Sequence, residues 1–191
     1  MQVPFIKAVG TSRATTVLVY DSEIREVGTL LGGLNSGIRA FGISKTENPF
    51  EAIKRILEES NSRHLQILAH GSSRGHISLG SIPINIQSLK DHSVLLSGLS
   101  LETIDIFSCD IGRASSFVEF FGAVTGASVA CSDGLVGHQS LGADWNLSRA
   151  AHNVIIPFST KARSAWTYSL VDITLNNSTE VNSFIADPSS F

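Results

Sequence analysis

Two apolar segments of this chain end in residues that can do acid–base and nucleophilic chemistry. The segment LQILAH ends in His70, which Gly71 follows at once, and the segment IDIFSC ends in Cys109. An imidazole that takes the proton of a nearby thiol produces a thiolate, which attacks an acyl carbon far better than the thiol does. The two residues therefore predict a cysteine nucleophile, with His70 as the general base and Cys109 as the attacking group.

The backbone around these residues offers two N–H groups to a reacting carbonyl oxygen. Gly71 has no Cβ, so its N–H can approach that oxygen closely. The N–H groups of Gly71 and Cys109 would together form an oxyanion hole. Cys109 also stands just before an expected helix, whose N-terminal field favours the thiolate.

The pattern of elements predicts that His70 and Cys109 meet at one edge of a sheet. Apolar runs alternate with helical segments from residue 15 to residue 133. This alternation favours an α/β fold, a three-layer α/β/α sandwich with a mostly parallel sheet. Catalytic groups gather at the carboxyl ends of such strands, and the ends of neighbouring strands lie roughly 5 Å apart.

The individual elements follow from apolar spacing and from capping residues. Asn48 and Pro49 give the clearest helix start, and Gly126 marks a helix end. A β-hairpin is expected after the His-Gly strand, within residues 74–89. The expected strands are 15–22, 38–44, 65–70, 101–110, 127–133 and 164–175, and the expected helices are 22–35, 48–60, 86–96 and 114–126.

The two strand ends resemble the motifs of a known enzyme group. ILAHG followed by IDIFSCD is similar to the His-Gly and Cys motifs of the caspase-like cysteine peptidases, which include caspases, metacaspases, legumain, clostripain and gingipains. The resemblance implies a caspase-like fold and peptide-bond cleavage through a Cys-His dyad, with His70 as base, Cys109 as nucleophile and Gly71 as oxyanion donor. It implies no cofactor.

A longer resemblance covers residues 15–148. LVYDS, ILAHGSSRGHISLG, IDIFSCDIG and GASVACSDGLVGHQSLGADWNLS, in this order, are similar to a bacterial domain found near the N-terminus of giant adhesin-like proteins with cadherin-like or calcium-binding repeats. That domain commonly has Ser before His-Gly and Gly before Cys, where this chain has Ala69 and Ser108. The resemblance implies a secreted or surface protein that acts on its own longer chain or on another peptide or protein substrate.

Three further residues are candidates for substrate binding. In caspase-like enzymes, part of the first specificity pocket comes from the strand after the cysteine strand, which here ends in Asp133. A carboxylate at Asp133 would select Arg or Lys before the scissile bond. Asp144 is a second candidate, beside Trp145, which could form a wall of the pocket.

Composition excludes several other classes. The chain has 191 residues and a net charge of −3, without a Lys/Arg cluster, which argues against nucleic-acid binding. No apolar run reaches the ~18–20 residues of a membrane span. Two cysteines are too few for a disulfide framework, and Cys131 is expected in the core. The remaining histidines fit no metal-ligand spacing, so no metal site is expected.

The expected organisation is an N-terminal extension (1–14), the caspase-like domain (15–148), C-terminal elements or a connector (149–175) and a linker or frayed tail (176–191). The N-terminal residues contain no apolar stretch of signal-peptide length, so a cytoplasmic location is the alternative to a surface one. The alternative function is an inactive binding or cap module with the same fold. A flavodoxin-like phosphate binder is disfavoured, because DSEIRE after the first strand is acidic and lacks a glycine cradle.

Overall fold

The computed structural model describes residues 16–171, and its centre is a five-stranded sheet in which every neighbouring pair is parallel. The strand order is β2-β1-β3-β6-β7, and β4 and β5 form a separate antiparallel hairpin. The strands are β1 (Thr16–Asp21), β2 (Ile38–Ile43), β3 (His64–Leu68), β4 (His70–Ser72), β5 (His76–Ser78), β6 (Thr103–Phe107) and β7 (Ser128–Cys131).

Helices cover both faces of the sheet and confirm the expected α/β/α sandwich. One apolar core contains residues of α2 to α5, and the other contains residues of α1 and α6. The helices are α1 (Val27–Leu31), α2 (Pro49–Ser60), α3 (Ile86–Asp91), α4 (Ser93–Ser97), α5 (Ser115–Thr125) and α6 (Thr160–Ala165). None of these helices is long and apolar enough to cross a membrane.

The strands are apolar without interruption because both of their faces are covered. In β1, Val17 and Val19 belong to the first core, whereas Leu18 belongs to the second. The side chains of the other strands alternate between the two faces in the same way. Cys131, at the end of β7, belongs to the first core, and Cys109, just after β6, belongs to the second. The two thiols are therefore on opposite sides of the sheet.

Capping explains which predicted helix boundaries are confirmed. The Asn48 side chain accepts from the N–H groups of Phe50 and Glu51 at 2.9 and 3.5 Å, and Pro49 opens α2. Gly126 ends α5 with a φ of 71°. The helix predicted over 86–96 is divided at His92 into α3 and α4, and the hairpin begins earlier than expected, at His70 itself.

The last described residues are part of the same domain. Phe158, Ala162 and Trp166 are buried in the second core, and Trp166 Nε1 donates to the Arg25 carbonyl at 2.8 Å. The strand predicted over 164–175 is wrong for Ser164 and the residue after it, which end α6. The expected extension 1–14 and tail 176–191 lie outside the described residues.

Candidate active site

The register of the sheet brings the two predicted strand ends side by side. β3 and β6 are neighbours, and Leu68 faces Phe107 across the pair. The pairing continues past the strands, because Ala69 N donates to Phe107 O at 3.3 Å and Ser108 Oγ donates to Ala69 O at 2.7 Å. The segments that carry His70 and Cys109 therefore leave the sheet together at its carboxyl edge, as predicted.

Gly71 lies against the cysteine segment. A Cβ at this position would lie 2.7 Å from Ser108 Cβ and 3.0 Å from the carbonyl oxygen of Cys109. Such distances are shorter than a side chain tolerates, so the packing requires glycine here. The N–H of Gly71 donates a hydrogen bond of 3.0 Å to the carbonyl of Leu170.

The Cys109 thiol is fully buried, with 0% of the residue exposed. Its Sγ accepts from the N–H of Val136 at 3.2 Å and donates to the carbonyl of Val136 at 3.6 Å. Burial is the main cause of the raised pKa of Cys109, which is about 12; the Asp110 charge also raises this pKa, and the Val136 and Leu170 backbone lowers it. In the described conformation the sulfur is a protonated thiol.

Cys131 is the second buried thiol. Burial is the main cause of its raised pKa, which is about 11; the Arg149 charge lowers this pKa, and the Asp133 charge raises it. It lies in the first core, where the sequence placed it.

His70 lies at the same edge and faces a cavity. Its Nδ1 is 3.1 Å from the carbonyl oxygen of Val171. A carbonyl only accepts, so Nδ1 carries a proton, and the lone pair of the neutral ring is on Nε2. No hydrogen bond joins the side chains of His70 and Cys109 within the described part of the chain. The cavity has a volume of about 420 Å³, and Lys45 and Pro83 also line it.

Asp21, a residue to which sequence reasoning gave no role in the site, lines the same cavity as His70. Its Oδ1 accepts from the N–H of Glu23 at 2.9 Å and holds a turn after β1, so the helix predicted over 22–35 begins only at Val27. Burial raises the pKa of Asp21, against the lowering effects of the Glu23 hydrogen bond and the His70 charge. The signal in the sequence was the position of Asp21 at the end of β1, the strand next to β3.

Residues 168–171, here called the site segment, lie within the strand predicted over 164–175, but the sequence did not predict that they would lie at the site. The segment is extended and lies between β4 and the loop 136–138, with bridges Gly71↔Val171 and Gly137↔Ser169. Leu170 N donates to Val136 O at 2.9 Å, and His138 N donates to Tyr168 O at 2.9 Å. The segment therefore crosses the site between the residues predicted to do the chemistry.

The Asp133 carboxylate forms hydrogen bonds and an ion pair with other residues of the chain. Its Oδ1 accepts from Arg149 Nε at 2.7 Å, and its Oδ2 accepts from Ser148 Oγ at 3.1 Å. Its backbone carbonyl accepts from Arg113 Nε at 2.7 Å. These contacts hold the loop after β7 in place, and selection of a basic substrate residue by Asp133 stays a prediction.

Asp144 and Trp145 have different surroundings. Asp144 is exposed in part to a second cavity of about 160 Å³, and its Oδ1 accepts from Asn146 N at 2.7 Å. Trp145 is 4% exposed and belongs to the second core with Leu170 and Cys109. It stacks edge-on against Phe158 at 5.5 Å between ring centres. Trp145 is therefore a core residue that also lines that cavity.

The fold and this site define an α/β/α domain with a histidine, a buried cysteine and a bound chain segment at one sheet edge. A family model described as "Domain of unknown function (DUF4347)" matches residues 17–170, and the chain belongs to that family. No curated protein and no solved structure matches the chain. Within residues 16–171, no group of three or more His, Cys, Asp or Glu side chains could hold a metal ion.

Proposed function

We propose that this domain is a caspase-like cysteine endopeptidase that cleaves peptide bonds with Cys109 as nucleophile and His70 as general base. The resemblance of its His-Gly and Cys motifs to those of the caspase-like peptidases supports the proposal, and so does the placement of both motifs at one sheet edge. The resemblance to a domain of giant adhesins supports a secreted or surface location within a longer protein.

The observation that carries the proposal is the position of one peptide bond. In the Leu170–Val171 peptide bond, the Leu170 carbonyl oxygen accepts a hydrogen bond from the Gly71 N–H. The carbonyl oxygen of the next residue, Val171, accepts a hydrogen bond from His70 Nδ1. Cys109 belongs to the same core as Leu170, and both its Sγ and the Leu170 N–H donate hydrogen bonds to the carbonyl of Val136. An extended peptide thus lies where a substrate of this dyad would have to bind.

The chemistry requires the thiol to lose its proton as it attacks. His70 takes the proton from Cys109 directly or through one water, and the new S–C bond places negative charge on the carbonyl oxygen. The Gly71 N–H, already aimed at that oxygen, stabilises the charge, together with the N–H of Cys109. His70 then gives its proton to the leaving amine, and water hydrolyses the thioester.

The alternative proposal is a non-catalytic binding or cap module. The burial of Cys109 and its pKa of about 12 favour this alternative, because a buried thiol with a high pKa is inert. The site segment supplies that burial in part, since Leu170 and Cys109 belong to one core. The two proposals therefore differ in whether the thiol reacts with a bound carbonyl.

The test is proteolysis that depends on the dyad. The 191-residue chain would be incubated alone and with an unfolded carrier protein such as casein, and all fragments would be identified by mass spectrometry. Fragments that disappear in Cys109→Ala and in His70→Ala, and persist in the matched control Cys131→Ala, would support the peptidase. If wild-type protein produces no fragment of itself or of the carrier, the peptidase proposal is overturned and the module stands.

A further inference from the structure

The site segment is held by backbone pairing of the kind that peptidases use for substrates. It pairs antiparallel with loop 136–138 through two hydrogen bonds of 2.9 Å, and it pairs in parallel with β4 at Gly71. Pairing through the backbone fixes the direction and the register of a peptide without regard to most side chains. The register here places the carbonyl of Leu170, and of no other residue in the segment, on the Gly71 N–H.

Gly137 lets the segment approach the loop. A Cβ at Gly137 would lie 2.5 Å from the Tyr168 carbonyl oxygen and 2.6 Å from Ser169 Cα, and its φ of +150° disfavours any other residue. Gly137 therefore gives the segment a side-chain-free backbone on one flank, and on the other flank the Gly71 N–H donates to the Leu170 carbonyl.

Side chains anchor the segment at alternate positions. Leu170 is 0% exposed, and Trp166, two residues before the segment, is 1% exposed, so both of these side chains are deeply buried. Tyr168, between them, donates its hydroxyl to Glu26 Oε1 at 3.0 Å and lies under the Arg25 guanidinium at 4.8 Å. The pocket that receives Leu170 belongs to an apolar core that includes Leu68 and Phe107.

We infer that the chain's own Leu170–Val171 bond is the substrate of this site, cleaved within the same molecule, and that the site selects Leu before the scissile bond. The inference rests on the proposed peptidase function. The apolar lining of the Leu170 pocket excludes a basic residue there, because an unpaired buried charge is strongly unfavourable. Other substrates of the site are extended peptides with a leucine-like residue at this position.

The cleavage needs only groups of this chain and one water molecule as reactants. The Cys109 Sγ–H proton passes to His70, Sγ bonds to the carbonyl carbon of Leu170, and the bond to the Val171 nitrogen breaks. That nitrogen takes the proton from His70 and leaves as the new amino terminus of the fragment 171–191. Water then adds to the thioester, which regenerates the thiol and gives Leu170 a free carboxylate.

The experiment is intact-mass analysis of the 191-residue chain during incubation, with sequencing of any new amino terminus. We expect a fragment beginning at Val171, lost in Cys109→Ala and retained in Cys131→Ala. Leu170→Asp should abolish the cleavage and Leu170→Met should retain it. Val171→Pro, which keeps the Leu170 side chain and its pocket, should also abolish it. Near-ultraviolet circular dichroism would verify that each variant is folded.

Protein concentration distinguishes reaction within one molecule from reaction between two. For the first, the fraction cleaved per unit time does not change with concentration. A rate that rises in proportion to concentration would overturn the intramolecular assignment.

The results separate this inference from the proposed function. Casein fragments that depend on Cys109, without any cut at Leu170–Val171, would retain the peptidase and overturn the inference. Cleavage that persists in Leu170→Asp would overturn the leucine selectivity. The absence of Cys109-dependent cleavage of either protein would overturn both.

Discussion

The backbone N–H of Gly71 donates a hydrogen bond to the carbonyl oxygen of Leu170 at a distance of 3.0 Å. The two residues are far apart in the sequence, and their contact joins the hairpin β4–β5 to the last described residues of the chain. The same N–H was predicted to stabilise an oxyanion. It therefore already contacts a carbonyl oxygen of the type on which the predicted reaction would develop negative charge.

Replacing Gly71 by alanine should disturb the site more than the fold. The new Cβ would meet Ser108 Cβ at 2.7 Å, so the His-Gly segment must move away from the cysteine segment. We expect a loss of roughly 1–3 kcal/mol in the free energy of unfolding and a loss of cleavage at Leu170. Urea unfolding and the mass assay would measure the two effects.

The control for this variant is Gly134→Ala, because a Cβ at Gly134 meets no atom within 4 Å. Cleavage by Gly71→Ala at the wild-type rate would show that the close approach of Gly71 is unimportant.

Shortening Leu170 should expose the nucleophile. Leu170 and Cys109 share one core, and the site segment covers the sulfur, so Leu170→Ala should increase the rate of Cys109 alkylation by iodoacetamide. Cys131, on the opposite face of the sheet, should remain as slow as in the wild type. Peptide mapping of the alkylated protein at neutral pH measures both rates. An equal increase at both cysteines would indicate general loosening and would contradict the proposed cover.

The buried thiols should make the fold sensitive to high pH. The folded pKa values of about 12 for Cys109 and about 11 for Cys131 lie above the ordinary value of 9.0. The unfolded chain therefore loses these protons first, so the stability they contribute is complete below pH 9 and declines as the pH rises towards 11 and 12. Urea unfolding across this range should show a smaller decline for Cys109→Ala and for Cys131→Ala than for the wild type. If the free energy of unfolding declines with the same slope in all three proteins, the pH dependence does not come from these two thiols.

Replacing Asp133 by asparagine tests the prediction that this residue selects Arg or Lys. Its carboxylate is paired with Arg149 at 2.7 Å on a partly exposed surface, so we expect a cost of about 0.5–1 kcal/mol. Cleavage after Leu170 should continue at the wild-type rate. The mass assay and thermal unfolding measure these outcomes. A specific loss of cleavage of Arg- or Lys-containing peptides would instead support the selective role.

The hydrogen bonds of Asp105, a buried residue of β6, show what a single sequence cannot predict. Asp105, 6% exposed in the middle of β6, accepts from His152 Nε2 at 2.7 Å and from Gln66 Nε2 at 3.0 Å. The sequence predicted no partner for His152, because no local spacing links it to β6. The partner of a buried carboxylate depends on chain packing over long separations, which periodicity does not report.

The sequence by itself determined the α/β fold with a mostly parallel sheet, the caps of α2 and α5, and the exit of the His70 and Cys109 segments at one edge. Apolar runs, capping residues and the alternation of strands and helices along the chain are local properties, and parallel strands must end on the same side. Only the tertiary structure decided that Cys109 is buried and that the Leu170 carbonyl accepts a hydrogen bond from the Gly71 N–H. Both depend on where the residues after α6 return to the sheet, and that return is fixed by the packing of Trp166 and Leu170 into the second core rather than by any motif.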